Sequence, residues 1–418
     1  MNLYFKRVYS YQMKPMKYIF VSVLLALGGI MPAMGQTNTG GGQQPPQEEK
    51  NKIQSQSTNM NENLANPVIL EPSRSAQSPG FYRGQTETLR RAVDFNKYDA
   101  KSWLGYYKAE RYSYYTKTSN DINTEQQSEL DKIVDEMSQY VPTSYEFNYA
   151  KYLNGNHDIR LFGFLAKAYE INPKATELFD QFVSYYELTG DAVRKTDWCK
   201  KLNESGEIPK EIMEFAYNLL VSLDENAVII THGEMDSHSS FIWQTVKNHR
   251  KDVLILYMDL LEKPEYREKK FRELGINVTA SPYTNKAAFV AEFLQKNSLK
   301  RPSYLATTVA PDLIRPIQSK LFLTGLAFKY SEKGFDNLPV IAENWEKKFR
   351  KEELAKKIAQ GSVSAKINMN YVPGLLLLRD YLLSKGLNDK AKATEELALK
   401  IGSEGGKEQQ VRTMIMKK

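Results

Sequence analysis

The sequence predicts an α/β unit, a doubly wound parallel sheet, flanked on both sides by all-α helical hairpins. Three observations predict it. Residues 224–261 read as strand, polar loop, helix, strand. The strands are Ala227-Val-Ile-Ile-Thr231 and Val253-Leu-Ile-Leu-Tyr-Met258, with His232-Gly-Glu-Met-Asp-Ser-His238 and a helical stretch to His249 between them. Two β-branched-rich runs joined by a helix make a βαβ unit, whose strands run parallel. Strand and helix patterns alternate up to about residue 330. Before 222 and after 338 the apolar spacing is helical throughout.

The chain has 418 residues, enough for two or three domains with sizeable cores. Residues 1–35 read as a signal peptide. Lys6, Arg7, Lys14 and Lys17 precede an uncharged apolar run, Tyr18 to Met31, and the small residues Ala33 and Gly35 mark its exit. Met13 and Met16 are alternative starts. No other segment approaches the length of a membrane span, so none is expected after cleavage. The net charge of +7 falls to +3 without those four cations. The basic balance therefore gives no support to a nucleic-acid partner. Cys199 is the single cysteine, which excludes an intrachain disulfide.

Residues 36–80 are rich in Gln, Asn, Gly, Pro and Ser and lack aromatics. That composition cannot offset its ordering entropy, and a flexible linker is expected. A helical domain should occupy 81–222. Asn123-Thr-Glu-Gln126 opens one helix, with Leu130, Ile133, Val134 and Met137 on one face. Asp158 to Ile171 gives another; Asn172-Pro173 stops it and starts the next, which runs to Leu188. Gly190-Asp191 leads into a helix through Leu202, and Pro209 opens the last. Arg91-Ala-Val-Asp-Phe-Asn96 echoes Lys167-Ala-Tyr-Glu-Ile-Asn172.

The α/β domain should occupy 223–335. Strands are expected at 227–231, 253–258, 276–279, 303–307 and 326–330, and helices at 239–249, 264–273, 286–296 and 311–322. C-terminal helical hairpins should fill 336–403, followed by a flexible tail over 404–418. Glu343–Lys347, Glu346–Arg350, Glu352–Lys356 and Glu353–Lys357 are i,i+4 pairs with the acid first, which predicts an exposed, charge-balanced helix.

In such sheets ligands collect beyond the carboxyl ends of the strands. Gly233, Glu234, Asp236 and Ser237 lie there, and Asp259 ends the next strand. Three readings stay open. In the first, the loop only caps the following helix, through Asp236 or Ser237. In the second, the carboxylates accept hydrogen bonds from a small molecule or sugar. In the third, His232, Glu234, Asp236 and His238 alternate along an extended segment, point to one side and hold a divalent metal. The residues assign no catalytic group. Glycine-rich phosphate loop, nucleophile elbow and H-E-x-x-H motif are all missing. Tyr98, Trp103, Tyr106, Tyr107, Tyr112, Tyr114 and Tyr115 crowd one hairpin and are expected mainly in its core.

Two resemblances follow. Ala168-Tyr-Glu-Ile-Asn-Pro173, followed by Tyr185-Tyr-Glu-Leu-Thr-Gly-Asp191, resembles a tetratricopeptide junction, which implies an array of α-hairpins with a concave binding face. The stretch Asn226 to Asp236, with Phe241-Ile-Trp-Gln-Thr-Val246, Arg250-Lys-Asp-Val253 and Asp259-Leu-Leu261, is similar to another family. That family is the soluble C-terminal region of bacterial multi-pass membrane proteins related to protein O-mannosyltransferases. There a like strand ends in Gly-Asp-Asn-Asp-Thr and a Trp/Tyr-x-x-Gln helix follows. Arg301-Pro-Ser-Tyr-Leu-Ala-Thr-Thr308 and Gly325-Leu-Ala-Phe-Lys-Tyr330 also look similar to it. The likeness covers roughly 210–400, about half the chain. It implies a Rossmann-like module with Gly233, Glu234 and Asp236 in the matching loop. The chain departs from the family in lacking the membrane spans that hold a lipid-linked sugar donor, so the transferase activity is not implied.

The expectation is an exported, non-catalytic binding or scaffold protein of the bacterial cell envelope, periplasmic or secreted. It would need no cofactor and would engage an envelope protein or glycoprotein. The alternative is a glycan- or glycoconjugate-processing enzyme using the carboxylates of the 232–238 loop, with or without a divalent metal.

Overall fold

The computed structural model describes residues 69–70, 74, 77–115 and 122–416. The expected signal peptide and nearly all of the expected linker lie outside the described residues. The chain divides into two compact units, with the boundary between Lys174 and Ala175 and not at 222. No described helix is long and apolar enough to cross a membrane.

Among its described residues the first unit has five α-helices: α1 (Pro79–Phe95), α2 (Ala100–Ser113), α3 (Thr124–Tyr140), α4 (Tyr145–Asn154) and α5 (Phe162–Ile171). Short polar side chains start four of them, satisfying backbone N–H groups that lack an intrahelical partner. Ser78, Asp99 and Ser144 cap α1, α2 and α4, and Asn123 forms a reciprocal capping box with Gln126 at α3. The tyrosine-rich hairpin is core only in part: Trp103, Tyr107 and Tyr112 are buried, Tyr106, Tyr114 and Tyr115 are half-buried, and Tyr98 is exposed.

The second unit begins with α6 (Phe179–Thr189), α7 (Ala192–Ser205) and α8 (Lys210–Val221). Next come β1 (Val228–Thr231), α9 (Glu234–Thr245), β2 (Leu254–Tyr257), α10 (Pro264–Leu274), α11 (Lys286–Asn297), β3 (Ser303–Ala306), β4 (Leu321–Leu323) and β5 (Ala327–Tyr330). It ends with α12 (Val372–Ser384), α13 (Asn388–Glu404) and α14 (Glu408–Met416). The sheet order is β2-β1-β3-β5-β4. β2, β1 and β3 are parallel, but β5 is antiparallel to both β3 and β4. The sheet is therefore mixed, not wholly parallel as expected. β4 lies within and just beyond the span predicted as a helix over 311–322. Pro316 limits that helix to Pro311–Ile314 and a 3₁₀ segment. The chain then extends into β4 and turns directly into β5, and so short a link permits only antiparallel pairing.

The predicted strand at 276–279 does not form. Its donors are taken elsewhere: Ile276 N–H bonds the Phe271 carbonyl at 3.0 Å, and Thr279 N–H bonds Glu292 at 3.0 Å. The charge-laced helix after 338 is likewise broken into short turns. Only Glu343–Lys347 of the four predicted pairs forms, at 3.9 Å. Tertiary contacts override the pattern. Buried Asn218 clamps Arg350 through its backbone N–H and C=O, both at 2.8 Å, and Glu214 accepts from the N–H groups of Glu353 and Leu354. The predicted flexible tail is α14 instead. Val411 is fully buried, and a Cβ on Gly402 would stand 2.7 Å from its Cγ2, so only glycine permits this approach.

Candidate functional site at the strand ends

Register fixes the site. Thr231 pairs with Tyr257 and Ile230 with Leu305, so β1, β2 and β3 end side by side. His232 to Asp236, Asp259 and Thr308 follow those ends directly. His232 Nε2 lies 3.8 Å from Asp259 Oδ1, both half-exposed.

Gly233 turns the chain from β1 into α9. Its φ of 95° and ψ of 160° lie where a side chain is strained, although a Cβ there would meet no atom nearer than 3.9 Å. Helix α9 begins at Glu234 and not at 239. This corrects the extended reading of the loop. On a helix, residues two apart point in different directions, so Asp236 leaves the face that Glu234 and His238, four apart, share. Among the described residues no group of three or more His, Cys, Asp or Glu side chains is placed to hold a metal ion.

Each loop residue has its own partner. Asp236 is the third residue of the helix and 2% exposed. Its Oδ2 accepts from His232 N–H at 3.2 Å, one residue before the cap Gly233, and also from the Thr308 hydroxyl. Ser237 Oγ and Thr231 Oγ1 are 2.8 Å apart and fully buried. His238 Nε2 lies 2.9 Å from Ser184 Oγ, and its ring meets Tyr257 edge-on. Gln181 Nε2 donates to Glu234 Oε1 at 3.3 Å. Helix α6 thus lays Gln181 and Ser184 across the start of α9. The inner part of the loop is sealed, and a rim of His232, Glu234 and Asp259 is left partly open.

Burial sets the electrostatics. It pushes the Asp236 carboxyl up to about 7, against the two hydrogen bonds that favour its charge. Burial also pushes the Cys199 thiol up to about 11, which keeps it protonated at neutral pH.

The sequence reading missed Thr308, Ser184 and Gln181. Thr308 follows a strand end and fell under the same rule that selected Asp259. Ser184 and Gln181 are polar positions within the buried run Phe179, Phe182, Val183 and Tyr186. That was the available signal. No protein-family model matches the chain, and no curated protein matches it.

Proposed function

We propose that the chain is an exported, non-catalytic binding or scaffold protein of the bacterial cell envelope, periplasmic or secreted. Its helical hairpins, read as tetratricopeptide-like, engage a protein or glycoprotein partner. Its α/β unit, read as a doubly wound, Rossmann-like module, contributes the polar rim at the strand ends. One observation carries this reading. Asp236, Ser237 and His238 are buried and hydrogen-bonded within the protein. Groups committed to holding three strand ends together are poorly placed to act on a substrate.

The test is cross-linking of the tagged full chain in envelope extract, with an unrelated exported protein as control. One stoichiometric partner is expected, retained by Glu234→Gln and Asp236→Asn. Absence of any specific partner would overturn the reading.

A second reading has one observation in its favour. Asp236 titrates near neutrality beside the half-exposed His232–Asp259 pair, as acid–base sites do. On that reading the chain processes glycans or glycoconjugates, and the likeness to the O-mannosyltransferase-related module bears on its substrate. Turnover of a glycoconjugate that is abolished by both variants would establish it and displace the first.

A further inference from the structure

A cleft of about 570 Å³ opens between α1, α2 and the start of α3, well away in sequence from the strand-end rim. Its size falls within the ~300–1,000 Å³ of small-molecule sites. Arg83 and Thr86 come from α1, Glu110 from α2, Tyr114 and Tyr115 from the segment after it, and Gln126 from α3.

The walls are pre-set. Tyr114 donates its hydroxyl proton to the Glu110 carboxylate. Buried Arg111 donates to the Tyr115 hydroxyl at 3.2 Å, and the Tyr112 ring backs Tyr115 with centroids 5.5 Å apart. Gln126, on the cleft wall, spends its Oε1 on Asn123 N–H at 2.9 Å, which orients the amide and leaves its NH₂ group without a partner among the described residues. Arg83 forms no hydrogen bond or ion pair with the described residues, so none of them competes with a ligand for its five donors. Glu110, Tyr114, Tyr115 and Gln126, held this way, lose little freedom on binding.

The lining also limits the ligand. Among the described lining residues one cation and one anion give no net charge, which disfavours phosphate or a polycation. Pro79 is the only aliphatic residue among the described lining residues, and they offer a peptide no pocket for an apolar anchor. What remains is a mix of planar donors, acceptors and two aromatic rings. It complements a molecule with hydroxyls on its edges and C–H groups on its faces. We propose that this cleft binds a neutral saccharide of one or two rings, held by Arg83, Glu110 and Gln126 against the two tyrosines. The proposal does not depend on the strand-end rim or on the partner reading above.

Saturation-transfer NMR on the full chain tests it. The probes are glucose-, galactose-, mannose- and N-acetylglucosamine-based disaccharides, with a neutral tetrapeptide and inorganic phosphate alongside. At least one disaccharide should bind, and Arg83→Ala and Glu110→Gln should each weaken it about tenfold or more. Arg83 is exposed, so Arg83→Ala should melt like the parent, which separates lost binding from lost fold. Three results would overturn the proposal: no disaccharide bound at millimolar concentration, binding unaffected by both substitutions, or binding of the tetrapeptide or phosphate alone.

Discussion

Two carboxylates in the second unit are almost equally buried and are held in opposite ways. Glu187 is 5% exposed and Asp236 is 2% exposed. Burial pushes both upward. At Glu187, Lys195 at 2.6 Å and Lys270 at 2.9 Å outweigh it, and the carboxyl is held below its ordinary range. The Tyr266 hydroxyl donates to it as well, at 3.1 Å. Asp236 has only neutral donors, a backbone N–H and the hydroxyls of Thr308 and Ser237, and rises to about 7. Depth does not decide the charge of a buried acid here; the presence of counter-ions does. The first carboxylate is a charged fastening.

The largest effect is expected from removing the fastening. Glu187→Ala leaves two ammonium groups, each about one-sixth exposed or less, without their anion. Breaking a buried pair this way costs about 3–5 kcal/mol, readable as a drop in urea midpoint. Replacing Glu187, Lys195 and Lys270 together by Met should restore much of that loss. If the triple variant were no more stable than Glu187→Ala, the stranded charges would not be its cause.

Asp236→Asn comes next and should act through pH. An acid whose folded value is raised from 3.8 to about 7 keeps its proton in the folded state where the unfolded chain has lost it. The folded state then loses stability as pH climbs from about 4 to 7, by roughly 4 kcal/mol for a shift of that size. Glu187 works in the other direction, and its stabilisation fades only as pH falls below the ordinary carboxylate range. Urea titrations from pH 4 to 8 should show a slope in the parent that Asp236→Asn flattens, with the variant the more stable at pH 8. Parallel curves would refute the assignment.

The contrast also shows how much of this was legible in the sequence. Asp236 was visible because it stands in a polar loop directly after an apolar strand, and strand adjacency placed it near Asp259. Its burial was not visible, because that depends on α6 lying over the loop, and no local pattern encodes that. Glu187 carried no signal at all. It sits in a helix as one acid among many, and its partners Lys270 and Tyr266 come from α10, some 80 residues away. The sheet followed the same division. β1, β2 and β3 were readable as apolar runs, whereas β4 was hidden because Leu321-Phe-Leu323 is too short to show a period. The charge pattern after 338 misled because Asn218 and Glu214, distant in sequence, claim the backbone that the helix needed.

Gly233→Ala should sharpen the comparison from the backbone side. The alanine must adopt a φ near 95°, at a cost of about 1–3 kcal/mol, or the turn must shift. A shifted turn moves His232 N–H away from Asp236, so the carboxyl should titrate above its present value. A lowered melting temperature with an unchanged Asp236 titration would mean that the turn strains without moving the donor.

The smallest effect belongs to Thr308→Val, which keeps the side-chain shape and deletes one donor. Losing a single hydroxyl bond costs about 1 kcal/mol. The consequence that matters is on Asp236, whose charged form then relies on His232 N–H and the longer contact from the Ser237 hydroxyl at 3.4 Å. Removing a donor to the charged form raises the titration point, so side-chain carboxyl NMR should place Asp236 above about 7 in the variant. Glu187, fixed by its two lysines, should not move. If neither carboxyl moved, the Thr308 hydroxyl would be a bystander, and the neutrality of Asp236 would follow from burial alone.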